Sequence, residues 1–278
     1  MFKKVAKNIE NFEINLAGRC VIFREKLYNK LVMIDELLRK FPLISDQVSR
    51  EEMAIILREL ERILTRNIEG DVVEFGCYKG TTSLFLARMM ARFQPEDSRK
   101  DASENSQSKN SLSGKFGGSN FTFRNDQLGN SRKLWLYDSF EGLPEKTRED
   151  DSRIGEDFCA GKLATTKAGL LKTFAKNNLW RRNFGPMVVK KWFCDLEEKD
   201  LPEKICFAFL DGDFYGSIRD SFFKCEGKLA KGATIVIDDF ANERLPGVAR
   251  AVDEWRARNE GKIAKFWVEK SLGIVYLR

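Results

Sequence analysis

Four short apolar stretches in this chain each run into an acidic residue: VVEFGCYKG at 72–80, LWLYDSFEGLP at 134–144, FAFLDGDFYGS at 207–217 and TIVIDDF at 234–240. Their apolar parts have the length of strands buried on both faces of a parallel sheet. The acids Glu74, Asp138, Asp211, Asp238 and Asp239 fall where those strands would end. In an open α/β sheet the carboxyl ends of the strands form the ligand crevice. A folding core does not ask for five carboxylates there. They point to a ligand rich in hydroxyls and positive charge, with a metal as one way to hold them together.

The rest of the chain fits that frame. Strands are predicted near 72–75, 134–137, 188–190, 206–210, 234–237, 265–269 and 273–277, with helices between the earlier ones. One helix is expected to carry Ile218, Phe222, Cys225 and Leu229 on a common face. Another begins at Pro246, a favoured first helical position, and carries Val248, Val252 and Trp255. The link between the last two strands, around Ser271 and Gly273, is too short for a parallel crossover and makes a hairpin. The expected fold class is therefore α/β, a mostly parallel sheet with its last strand antiparallel.

Before the first strand, residues 1–66 read as an N-terminal helical extension. Leu27, Leu31, Ile34 and Leu38 share one face, and Pro42 follows. A second helix opens with the capping box Ser49-x-x-Glu52 and carries Met53, Ile56, Leu57, Leu60 and Leu64 on one side. These faces suit a lid on the sheet or a homo-oligomer interface. Residues 67–278 form the main domain. Within it, 95–131 is rich in Ser, Asn and Gly and poor in aliphatics, so it reads as a disordered insertion, with a substrate lid as the alternative.

Composition removes whole classes of chemistry. There is no histidine in 278 residues, which excludes a Ser-His-Asp triad and any His-ligated metal. Acid–base work must fall to Asp, Glu, Lys, Tyr or Cys, and a metal is expected to be a hard cation held by oxygen. The net charge of +6 is scattered, without the basic run that marks a nucleic-acid binder. Cys20, Cys77, Cys159, Cys194, Cys206 and Cys225 form no C-x-x-C pair. They suit a reducing, cytoplasmic setting. The first residues make a poor signal peptide, and no apolar run approaches the ~20 residues of a membrane span.

In the first motif Gly76 and Gly80 bracket a tight turn, and Thr81, Thr82 and Ser83 start a helix. The spacing misses the dinucleotide G-x-G-x-x-G pattern. It suits a nucleoside-bearing ligand without a pyrophosphate, or a bare strand–helix turn. Asp138, followed by Ser139, is placed either to accept ribose hydroxyls or to cap a helix. Asp211, Asp213, Asp238 and Asp239 would meet at neighbouring strand ends, where like charges repel unless a cation intervenes. The competing reading pairs them with Arg219, Arg244 and Arg250.

The blocks VVEFGCYKGTTS, LYDSFEGLP, FLDGDFYGS, VIDDF and PGVARAVDEW, in this order, resemble the macrocin O-methyltransferase (TylF/MycF-type) family over roughly residues 45–278. The resemblance implies a Rossmann-like class I methyltransferase sheet and S-adenosylmethionine (SAM) as methyl donor. It implies SAM binding by the turn at Glu74, Gly76 and Gly80, with Asp138 on the ribose; Thr81 and Ser139 complete the expected cofactor set. It implies Mg²⁺ on Asp211, Asp238 and Asp239, with Asp211 also the candidate general base. The long insertion and the stretch KKWFCDLEEKDLP depart from the family pattern. The expected function is SAM- and Mg²⁺-dependent methylation of a hydroxyl on a sugar or glycosylated small molecule. Alternatives are an RNA or protein acceptor, a nicotinamide-dependent oxidoreductase, or a non-catalytic protein that keeps the fold.

Overall fold

The computed structural model describes residues 33–93, 132–179 and 185–278. The chain forms two compact units, Met1–Pro42 and Leu43–Arg278. In the first, residues 33–40 are helical, so Ile34 and Leu38 lie on a helix as expected. Leu27, Leu31 and the whole 95–131 segment lie outside the described residues.

The second unit is built on a seven-stranded sheet. Its strands are β1 (Asp71–Phe75), β2 (Leu134–Asp138), β3 (Met187–Lys190), β4 (Ile205–Leu210), β5 (Leu229–Ile237), β6 (Ile263–Glu269) and β7 (Leu272–Leu277). Their spatial order is β3-β2-β1-β4-β5-β7-β6. The pairs from β3 to β5 are parallel, and β7 runs antiparallel to both its neighbours. The order reverses at β1 and β4, the switch point where such sheets open a crevice.

The helices are α1 (Arg50–Thr65), α2 (Thr81–Arg92), α3 (Lys167–Lys176), α4 (Tyr215–Cys225) and α5 (Pro246–Asn259). The capping box before α1 is present on both sides: Glu52 N–H donates to the Ser49 hydroxyl, and Ser49 N–H donates to the Glu52 carboxylate. The predicted apolar face, Met53 to Leu64, is buried. It packs on α2 and on strands β4 and β5. The opposite face of the sheet, carrying Val73, Phe75, Ala208, Leu210, Ile235 and Ile237, packs against α4 and α5. There Phe222 stacks on Trp255 at 4.4 Å, a geometry worth about 0.5–1.5 kcal/mol beyond area burial.

Two sequence boundaries are corrected. Leu229 belongs to β5, not to the face of α4, because the helix ends at Cys225 and a turn through Gly227 intervenes. And β5 begins at Leu229 rather than near 234. The pairing with β4 jumps from Ile205↔Leu229 to Phe207↔Thr234 around Gly232, whose φ is +79°. That irregularity breaks the alternation a sequence reading relies on.

Candidate active site

Strand register assembles the site. Phe75 pairs with Tyr137 and with Leu210, and Leu210 pairs with Ile237. The next residue on each strand or its exit is therefore Gly76, Asp138, Asp211 or Asp238, all at one level. They open into a cleft of about 510 Å³ whose lining includes Glu74, Gly76, Thr81, Asp138, Ser139, Asp211, Asp238 and Asp239.

The first turn is shaped by close approach. Gly76 has φ +91°, and a β-carbon on it would stand 1.8 Å from the backbone oxygen of Asp211. Only glycine fits. Gly80 caps the N-terminus of α2, and the Thr81 hydroxyl lies 2.6 Å from that of Ser45. Glu74 points to the α1–α2 side of the sheet and is 1% exposed. Burial pushes its pKa up to about 8, against a downward pull from Ser83 and with a smaller further push from Asp138. Its Oε2 has no hydrogen-bond partner among the described residues.

Asp138 is tied into the turn before α2. Its Oδ2 accepts from the N–H groups of Cys77 (2.8 Å) and Tyr78 (2.9 Å), and its Oδ1 accepts from Phe140 N–H at 2.6 Å. A carboxylate has about four acceptor sites, so about one is left free. Ser139 accepts from Glu141 N–H and closes its own turn.

Asp211, Asp213 and Asp239 bring carboxylate oxygens within 4.8 Å of one another. Asp238 lies beside this set rather than in it: it is the strongest repelling neighbour of Asp211, while its Oδ1 accepts from Asp239 N–H. Asp213, one of the four acids expected to meet here, takes the place in the three-carboxylate set that the expected metal ligands gave to Asp238. Burial first, then mutual repulsion, raises the pKa of Asp211, Asp213 and Asp238. Burial and Glu52 raise that of Asp239, against the pull of Asn242. Both Asp213 (φ +60°) and Asp239 (φ +56°) hold left-handed backbone, which costs a non-glycine residue about 1–3 kcal/mol.

The arginines expected to neutralise these acids form their ion pairs elsewhere, Arg219 with Asp220, Arg244 with Asp157, and Arg250 with Glu149 and Glu254, although the Arg244 charge still pulls the Asp239 pKa down. Three hard oxygen donors, crowded and half-buried, suit a small divalent cation.

The far wall of the cleft includes Leu143, Phe158, Lys162 and Trp192. Lys162 and Arg244 flank the Phe158 ring at 4.4 and 4.7 Å, and Asp157 pairs with both. Sequence reasoning missed this wall. Trp192 was within reach, because it stands just past the end of β3, where the other strands had already placed their site residues.

Demethyldecarbamoylnovobiocin O-methyltransferase of Streptomyces niveus is 22% identical over 209 residues, covering 72% of this chain and 63% of that protein. Mycinamicin III 3''-O-methyltransferase of Micromonospora griseorubida is 22% identical over 205 residues, covering 72% and 65%. The chain thus spans under two thirds of the length of these relatives. Among solved structures, that of the O-methyltransferase NovP aligns with a TM-score of 0.59 at 20% identity, over 83% of this chain and 80% of that one, a likeness of fold. The family model for macrocin O-methyltransferase (TylF) matches residues 117–271. That match takes in β2 to β6 with the acid cluster at their ends, and the chain belongs to this family.

Proposed function

We propose that the chain transfers the methyl group of SAM to a hydroxyl of a sugar or glycosylated small molecule, with Mg²⁺ at the acid cluster. The observation that carries this is the placement of a glycine turn and a three-carboxylate cluster in one cleft. The relatives are by their names O-methyltransferases of novobiocin- and mycinamicin-type small molecules, and a cleft of about 510 Å³ is of ligand size.

SAM, when bound, supplies a methyl already activated on a sulfonium, which leaves a neutral thioether behind. Gly76 would give it close access to the backbone, and Asp138 would offer its remaining acceptor site to the ribose, beside Ser139. Glu74 and Thr81 complete the wall on the α2 side. Asp211, Asp213 and Asp239 would hold the cation, with Asp238 behind them. Mg²⁺, when bound, lowers the pKa of an acceptor hydroxyl. The proton of that hydroxyl goes to a cluster carboxylate, Asp211 in our assignment. No histidine is needed.

The cleft argues against an RNA acceptor. Lys162 and Arg244 are the basic residues lining it among those described, and both are spent on Asp157. A phosphate backbone would meet carboxylates instead. The test is calorimetry with SAM, with and without Mg²⁺, followed by methyl transfer to a glycoside bearing a vicinal diol. Absence of SAM binding overturns the reading; turnover undiminished in excess EDTA removes the metal from it.

A further inference from the structure

Helix α4 leaves the acid cluster with a poor start. Its N-cap is Phe214, which has no side chain to accept from the first-turn N–H groups. The Tyr215 N–H is instead taken by Asp150, 65 residues earlier in the chain, whose Oδ1 accepts it at 2.7 Å. The Asp150 Oδ2 accepts from both the N–H and the hydroxyl of Thr147 at 2.9 Å. The carboxylate is 1% exposed and lies at the positive end of the α4 dipole. Gly247 of α5 makes room for it: a β-carbon there would stand 1.9 Å from Oδ1. Nothing in the proposed reaction uses this buried acid.

We infer that Asp150 is a positioning residue for the acid cluster. Two residues before Tyr215 stands Asp213, in left-handed backbone, and four before it stands Asp211. Pinning the Tyr215 N–H fixes the turn between β4 and α4, and so the direction in which both carboxylates face Asp239. Because Asp150 belongs to the segment that also carries Phe158 and Lys162, the same contact ties the far wall of the cleft to the cluster. The inference rests on reading the cluster as a cation site.

The test uses the whole chain and Mn²⁺ alone, followed by electron paramagnetic resonance, beside calorimetry with SAM. Asp150→Asn keeps the shape but cannot accept from both Tyr215 and Thr147. Gly247→Ala keeps the charge and crowds both the Asp150 carboxylate and the Tyr215 β-carbon, so it disturbs the same contact. Both should weaken Mn²⁺ binding about 10–100-fold, the usual effect of removing a support behind a metal ligand, and leave SAM affinity unchanged. A folded Asp150→Asn protein that binds Mn²⁺ as tightly as the wild type overturns this inference alone. Equal loss of Mn²⁺ and SAM binding, or loss of the cooperative melt in both variants, makes Asp150 a general structural residue and also overturns it. A wild type that binds no Mn²⁺ overturns the cation reading and takes this inference with it.

Discussion

The backbone oxygen of Asp211 occupies the space that a β-carbon on Gly76 would need, 1.8 Å away. The two strands that open the cleft thus touch, and each fixes the other's exit. Gly76→Ala must move β4, which carries the acid cluster, and adopt a positive φ as well. We expect a loss of about 1–3 kcal/mol from overpacking, with further strain from the φ angle. SAM and Mn²⁺ affinities should fall together, and titrating both against one variant checks this.

Asp138→Ala should lower SAM affinity by losing the ribose contact, and should also lower the melting temperature of the ligand-free protein. The Cys77, Tyr78 and Phe140 N–H groups all donate to this carboxylate. Each stranded donor costs about 1–3 kcal/mol if it stays buried. An unchanged thermal melt with weakened SAM binding would leave Asp138 a ligand contact only.

Glu74 gives a pH signature. Its folded pKa, about 8, lies above its ordinary value of 4.5. The folded protein therefore keeps a proton the unfolded chain releases. The associated stability is present below pH 4.5 and is lost as pH rises through 8. Glu74→Gln, a neutral mimic, carries no such dependence. The variant and wild type should melt alike near pH 5, and the variant should melt higher above pH 8, by several kcal/mol at most. Parallel melting curves across this range would contradict the burial of an ionisable Glu74.

Asp213→Asn removes one of three crowding carboxylates while keeping a residue that tolerates left-handed backbone. The ligand-free protein should melt higher at pH 8, because repulsion and burial raise the acid pKa values here. Mn²⁺ affinity should fall at least tenfold. A lower melt together with intact Mn²⁺ binding would remove Asp213 from the cluster.

Asp239→Ala should abolish methyl transfer while SAM still binds, since the turn we assign to the cofactor follows β1 and the cluster follows β4 and β5. EDTA should reproduce the defect in the unmutated protein and Mg²⁺ should reverse it, as read by methylated product.

Much of this molecule was legible without coordinates. Apolar runs of strand length, each closed by an acid, fixed β1, β2, β4 and the end of β5. The Ser49–Glu52 box, Pro246 and the short link at Lys270–Ser271 set the start of α1, the start of α5 and the final hairpin. These signals are local: hydrophobic period, capping chemistry and turn length act within a few residues, so they survive in the bare sequence. What only the tertiary structure decided is which groups meet. Asp138 turns one carboxylate oxygen toward the β1–α2 turn, Asp213 joins Asp211 and Asp239 while Asp238 stands beside them, and Asp150 caps a helix from 65 residues away. Those outcomes depend on strand register, on backbone held at positive φ and on a β-carbon missing from Gly76 and Gly247. All are set by packing between segments distant in the chain, where no spacing rule reaches.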